Sequence, residues 1–236
     1  MEASLSKEEE QIQIKKWFNK TYETKGFFYL RPIHSYKVFV SILKAGKGDK
    51  LLDVACGPGM MLKAGGLKGL NTYGVDLSDK GIELAKEFVP NANVQVANAE
   101  NLPFEEKTFD KITCLGSLER MLDLKKVLEE QKRVAKDTAD FCYMVRNSDT
   151  LLWRIKMFFG LRNKQGHQGA KSLEEWKSIF IDNGFEVQDV YKDTWQWVKW
   201  FRWLGLGWLI NYDKVAKIPM PLKYCFEFVF LLKKAK

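Results

Sequence analysis

The chain of 236 residues is poor in the side chains that build metal centres and disulfide frameworks. It has four cysteines, Cys56, Cys114, Cys142 and Cys225, with no CxxC pair, and two histidines, His34 and His167. This scarcity argues against a zinc cluster and against a stapled secreted fold. Cys114 and Cys142 fall in apolar runs that read as buried strands, where a thiol serves as a small core side chain. A reduced, cytoplasmic setting is therefore expected. No window of 18 residues is apolar and free of charge, so no membrane-spanning helix is expected. The opening MEASLSKEEEQIQIKKWF is charged throughout and lacks the apolar stretch of a secretion signal.

What is present supports a sizeable core. Hydrophobic residues make up 46% and charged residues 29%, and the length suits one α/β domain with decorations. The net charge is +8, and residues 192–236 hold nine Lys/Arg against three Asp/Glu, so most of the excess lies in that stretch. Anionic partners are expected to meet the protein there.

Leu5–Tyr22 and Ile33–Leu43 read as helices, the second beginning just after Pro32. Then strands alternate with helices. KLLDVACGPG is a strand and turn with a helix over 59–67 behind it. NTYGVDLS follows as a second strand, and DKGIELAKEFV is a helix with Ser78 as N-cap. Residues 93–98 and 109–115 are strands, 118–136 an amphipathic helix and 140–147 a fifth strand. Such alternation implies a parallel sheet covered on both faces, with strand ends gathered on one ligand-binding rim. Beyond residue 148 the pattern predicts a helix near 149–159, a loop over 160–170, and a helix Leu173–Asn183 opened by a Ser172/Glu175 capping box. A sixth strand at FEVQDVYKD, a tryptophan-rich segment and a last strand at 223–234 complete it.

The chemistry concentrates in LLDVACGPG. Gly57 and Gly59 let the backbone turn tightly and approach a ligand, with a helix N-terminus behind them. A dinucleotide turn needs a third glycine, where this chain has Leu62. Asp53, at the strand end, would sit beside a pyrophosphate as a like charge. It suits a ligand with a cationic amino group and no phosphate, such as S-adenosyl-L-methionine. Asp76 ends the second strand, where an acid accepts both ribose hydroxyls of an adenosine. NAD enzymes share that acid, so it fixes a nucleoside without choosing between the two. Asn98 and Glu100 are polar groups on the adenine side of the rim, Ala99 leaves room for the ring, and Gly116 exposes backbone near the methionine end.

In their order and spacing, LLDVACGPG, GVDLS, NAENLPFEEKTFD and LGSLE resemble the class I S-adenosylmethionine-dependent methyltransferases. Within them the chain is most similar to the ubiquinone/menaquinone-type (type 11) small-molecule enzymes, over residues 48–147. The resemblance implies a Rossmann-like α/β fold with a seven-stranded, mostly parallel sheet and helices on both faces. An N-terminal helical lid and an aromatic helical insertion before the last strand complete the expected fold. It implies that Asp53, Ala55, Gly57 and Gly59 line the methionine end and that Asp76 holds the ribose. Leu77 packs on adenine, Asn98, Ala99 and Glu100 meet its edge, and Leu115 and Gly116 close the floor. Three departures stand out: Ala55 occupies a position that is often glycine, Asn98 replaces an aspartate, and KDTAD (136–140) replaces a Lys-Pro-Gly-Gly turn.

One methyltransferase domain is expected over 1–236: a lid (1–45), a cofactor core (46–148) and a substrate side (149–236). Tyr29 and Arg31, in FFYLRP, are expected to cover the cofactor and pair with its carboxylate. A hydroxyl or amine acceptor profits from a base. Glu119 is the candidate, ahead of Tyr22, Tyr29, His34 and His167, and its alternative role is a first-turn acid of the next helix. WQWVKWFRWLGLGWLI (195–210) places Trp197, Trp200, Phe201, Leu204 and Trp208 at helical spacing among basic residues. That suits a membrane interface, a cap over an apolar acceptor, or a packing or dimer contact. The expected partner is a small, hydrophobic or lipid-linked acceptor, and the protein a monomer or homodimer, cytoplasmic or peripheral to the membrane. No metal is expected. Nucleic acid is disfavoured, because LGSLE lacks the Asn/Asp-Pro-Pro-aromatic turn of base-amino methyltransferases. A non-catalytic S-adenosylmethionine-binding protein is a further alternative.

Overall fold

The computed structural model describes residues 6–150, 153–155, 169–193, 195 and 221–235. Seven strands form one sheet in the order β3-β2-β1-β4-β5-β7-β6. They are β1 (Lys50–Val54), β2 (Asn71–Asp76), β3 (Asn93–Val96), β4 (Phe109–Leu115), β5 (Ala135–Arg146), β6 (Phe185–Lys192) and β7 (Glu227–Lys234). The first five pair in parallel, and β7 runs antiparallel between β5 and β6. Leu51, Leu52, Val54, Ile112, Cys114 and Phe141 are fully buried, as expected where helices cover both faces of a parallel sheet.

The connecting helices start where local chemistry says they should. Gly59 caps α3 (Met60–Gly66) in a left-handed conformation. The Ser78 hydroxyl accepts the Gly81 amide to open α4 (Asp79–Phe88). Asp123 does the same for α5 (Leu124–Val134) through the Lys126 amide. The helix expected over 118–136 is thus two pieces, a 3-10 turn at Leu118–Arg120 and α5. Its apolar spacing runs on through Met121, but Asp123 is the stronger start signal. β5 also begins earlier than expected. KDTAD is strand, its Asp140 paired with Lys111 of β4.

The N-terminal residues lie across the strand ends. α1 (Lys7–Lys25) carries a full Ser6/Glu9 capping box and is followed by two 3-10 turns, 26–29 and 33–36, and by α2 (Lys37–Ile42). α6 (Leu173–Asp182) has the capping box foreseen at Ser172 and Glu175. Trp176 and Phe180 of this helix are buried and stack at 5.8 Å. Of the helix expected near 149–159, residues 153–155 are helical. Its remainder from residue 156, most of the 160–170 loop with His167, and the tryptophan-rich segment apart from Trp195 lie outside the described residues. No helix among the described residues is long and apolar enough to cross a membrane.

Candidate active site

The ends of β1, β2 and β4 meet beneath α1 and the 26–36 turns, enclosing a cavity of about 420 Å³. Register builds its centre. Asp53 of β1 pairs with Thr113 of β4, and the Thr113 hydroxyl donates to the Asp53 carboxylate at 2.6 Å. Burial pushes the Asp53 carboxyl up to about 7, opposed by the Thr113 bond and reinforced by Asp76.

The turn after β1 is tight. Ala55 adopts φ +62°, a left-handed conformation that L side chains avoid. Gly57 has φ +49°, and a Cβ there would come within 2.6 Å of the Tyr22 hydroxyl, so the roof packs directly on the turn. The Gly57 amide donates to one Asp76 oxygen at 2.7 Å, and the Ser78 amide donates to the other at 2.8 Å. Asp76 is 7% exposed. These bonds fix its carboxylate while each oxygen keeps a further lone pair. Burial raises its carboxyl, and the amides oppose the rise.

Leu77, Asn98, Ala99 and Glu100 line the cavity on one side of Asp76, and Leu115 and Gly116 line it at the end of β4. The Asn98 side-chain oxygen accepts the Glu100 amide at 3.0 Å, an Asx-type turn that takes one of its lone pairs. Glu100 pairs with Lys7 of α1 at 2.9 Å, tying floor to roof.

Three expected residues stand differently from their sequence reading. Gly59 is not among the cavity-lining residues. It faces α4, where a Cβ would meet Val89 at 3.1 Å and Ala85 at 3.4 Å, so it serves the strand–helix packing. Arg31 lines the cavity beside Tyr29, but its guanidinium is held by Asp193 at 2.6 and 3.0 Å and by Glu227. Its charge is already balanced by protein carboxylates, so pairing with a cofactor carboxylate is not its first task. Glu119 sits in the 3-10 turn after β4, its main chain packed under Gly169. It is 5% exposed, outside the cavity lining, and neither carboxylate oxygen has a hydrogen-bond partner among the described residues. Burial raises its carboxyl. Tyr22, another candidate base, is pushed well above 10 by burial and by Asp76, so it holds its proton.

The cavity also gathers Phe18, Arg120, Arg146 and Glu227, which no motif in the sequence marks. Arg120 lies over the Phe18 ring at 5.2 Å. Each comes from a different element, and nothing periodic links them. No group of His, Cys, Asp and Glu suited to a metal ion occurs among the described residues.

Comparison with known proteins agrees with this geometry. Residues 52–142 match the family described as "Methyltransferase domain". An uncharacterized protein of Methanocaldococcus jannaschii is 37% identical over 145 residues, 61% of this chain and 53% of that protein. The uncharacterized methyltransferase YcgJ of Bacillus subtilis is 29% identical over 61% of this chain and 59% of its own length. The chain thus spans between half and two thirds of these relatives. A ubiquinone biosynthesis O-methyltransferase of Coxiella burnetii is 28% identical over 66% of this chain and 70% of that protein. Among solved structures, YcgJ shares the fold with a TM-score of 0.61 at 21% identity, covering 86% of this chain and 98% of that one. A Haemonchus contortus phosphoethanolamine N-methyltransferase, solved with S-adenosylhomocysteine, gives a TM-score of 0.68 at 18% identity, covering 94% of this chain and 60% of that one. Residues 52–142 thus match a methyltransferase domain, and solved methyltransferases share the fold.

Proposed function

We propose that the protein transfers a methyl group from S-adenosyl-L-methionine to an oxygen, nitrogen or carbon of a small, hydrophobic or lipid-linked acceptor. The observation that carries this reading is Asp76: a buried carboxylate, fixed by two amides, facing a cavity beside a second buried acid, Asp53, near the end of the neighbouring strand. The residues present fit such a donor. In this reading Asp76 accepts the ribose hydroxyls, and Leu77, Asn98, Ala99 and Glu100 surround adenine. Asp53 faces the cationic end, and Ala55, Gly57, Leu115 and Gly116 shape the methionine channel.

The bound donor supplies a methyl group already activated on a sulfonium, so the protein chiefly has to hold the acceptor in line. Such positioning is worth up to roughly 7–11 kcal/mol. The roof formed by Phe18, Tyr22 and Tyr29 excludes water. Tyr29 and Tyr36 of the N-terminal lid (1–45) and Trp195 and Glu227 of the substrate side (149–236) line the cavity where the acceptor would lie. Glu119, its main chain under Gly169 and its carboxylate outside the cavity lining, is not the base in this reading.

Calorimetry tests the donor. S-adenosylmethionine and S-adenosylhomocysteine are expected to bind with micromolar affinity, and NAD not at all. Asp76→Ala should weaken both by about 10- to 100-fold, the range of one or two charge-assisted hydrogen bonds. An unchanged affinity would sink the ribose assignment. The fold is also shared by a protein described as a [4+2]-cyclase, with a TM-score of 0.63 at 16% identity. Binding alone is thus not proof of transfer, and a labelled methyl donor offered with metabolite extract supplies it.

A further inference from the structure

One wall of the cavity lies outside the residues proposed to hold the donor. It lies where β5 and β7 meet, with Arg146 in register with Glu227. Met144 and Arg146 are two residues apart on β5, so they share a face, about 7 Å apart along the strand. Met144 abuts the floor, since a Cβ on Gly116 would meet its methyl carbon at 3.2 Å. Arg146 is therefore one pleat beyond the floor, and both side chains line the cavity.

The hydrogen-bonding capacity of this wall is unevenly used. Glu227 is buried, and Arg146 Nη2 takes its Oε1 at 3.1 Å while Arg31 takes Oε2. Burial works to raise the Glu227 carboxyl, but Arg31 and Arg146 hold it below its ordinary value, so it is ionised and neutralised from both sides. Arg31 is further clamped by Asp193. Arg146, in contrast, makes a single hydrogen bond through its guanidinium among the described residues, and its other contact is the Trp153 ring at 6.0 Å. A guanidinium has five N–H donors in a planar fork. The Arg146 side chain is 27% exposed, against 12% for Arg31. Its main chain is fixed, because the Trp176 indole N–H donates to its carbonyl at 3.0 Å. A held backbone, a neutralised carboxylate behind it and forked donors with no second hydrogen-bond partner among the described residues, on a side chain that lines the cavity, make a seat for a planar or tetrahedral anion.

We infer that Arg146 selects the methyl acceptor by binding an anionic group on it, a carboxylate or phosphate monoester, while the acceptor's apolar body lies against Tyr36, Leu115 and Met144. This rests on the methyl-transfer reading and adds the charge of the acceptor to it. The test is calorimetry on the full chain saturated with S-adenosylhomocysteine, using octanoate, octyl phosphate and uncharged octanamide. At least one anion is expected to bind tenfold or more tightly than the amide, and which one does so separates carboxylate from phosphate. Arg146→Gln should abolish the preference and leave S-adenosylhomocysteine affinity within twofold. Arg146→Lys, which keeps the charge without the fork, should retain part of it. Equal affinities, no binding of any of the three, or a preference that survives Arg146→Gln would overturn the inference. So would loss of S-adenosylhomocysteine binding in a folded Arg146→Gln protein, which would assign the guanidinium to the donor's own carboxylate. If the unaltered chain fails to bind S-adenosylhomocysteine, the methyl-transfer reading itself falls.

Discussion

Asp53 turns its burial into a pH dependence. Its carboxyl titrates at about 7 in the folded protein against about 3.9 in an unfolded chain. The folded state therefore holds the extra proton between these values, and stability declines as pH rises from about 4 to 7. A cationic ligand beside Asp53 favours the ionised form, so binding releases a proton. S-adenosylhomocysteine affinity should rise by on the order of tenfold between pH 5.5 and 7.5, then level off. Asp53→Asn should flatten both profiles, which titrations in buffers of different ionisation heat will show. Two residues further, Ala55 bears a left-handed backbone at φ +62°. Ala55→Gly should raise stability by about 0.5–1 kcal/mol, relief of the left-handed strain being partly offset by glycine's entropy. Urea unfolding measures it. Gly57→Ala should do the opposite, because Tyr22 blocks a Cβ there.

Among the elements, α6 depends on its capping box, in which Glu175 holds the Ser172 amide at 2.7 Å. Ser172→Ala should cost about 1 kcal/mol, with no effect on donor binding, because α6 lies away from the donor side of the cavity. Much of the element order is legible in the sequence. β1, β2 and β4 are short, largely apolar runs, β2 ending at Asp76 and the other two followed within three residues by a glycine, and a buried parallel strand imposes the apolar run. The donor residues share this legibility because each sits on a strand end or the turn after it. The strand character of KDTAD is not legible, since only Ala135 and Asp140 pair with β4 and the polar residues between them lie in a shift of register. The restraint on Arg31 is equally invisible, because its partners lie 162 and 196 residues away. Arg146 reads as the end of an ordinary strand, and only the cavity gives it meaning.

At the scale of the whole molecule, the basic excess in residues 192–236 and the tryptophans of 195–210 bear on surfaces. Flotation with anionic liposomes at low salt is expected to carry the protein upward, and 0.5 M salt to release it, since surface charge is screened within a few ångströms there. A protein that stays at the bottom of the gradient in both conditions has no such contact. The Arg31 clamp bridges the N-terminal segment and the far half of the sheet, so its loss is felt globally. Arg31→Met should destabilise the protein by about 3–5 kcal/mol, by leaving Asp193 buried without its partner and Glu227 with Arg146 alone. Thermal unfolding will register it, and the deficit should shrink towards acid, because the carboxylates left without Arg31 take up protons in the folded protein and lose their buried charge.

The place of β7 between β5 and β6 has a consequence for biosynthesis. A ribosome delivers β6 before the strand that joins it to the sheet exists. Until residues 227–234 emerge, β5 and β6 each present an open edge, and Arg31 waits for a carboxylate encoded almost two hundred codons later. The donor half can assemble during translation, whereas the acceptor wall closes only when synthesis of β7 is complete. A nascent chain stalled just before residue 227 therefore still offers chaperones the strand edges that β7 covers in the finished protein.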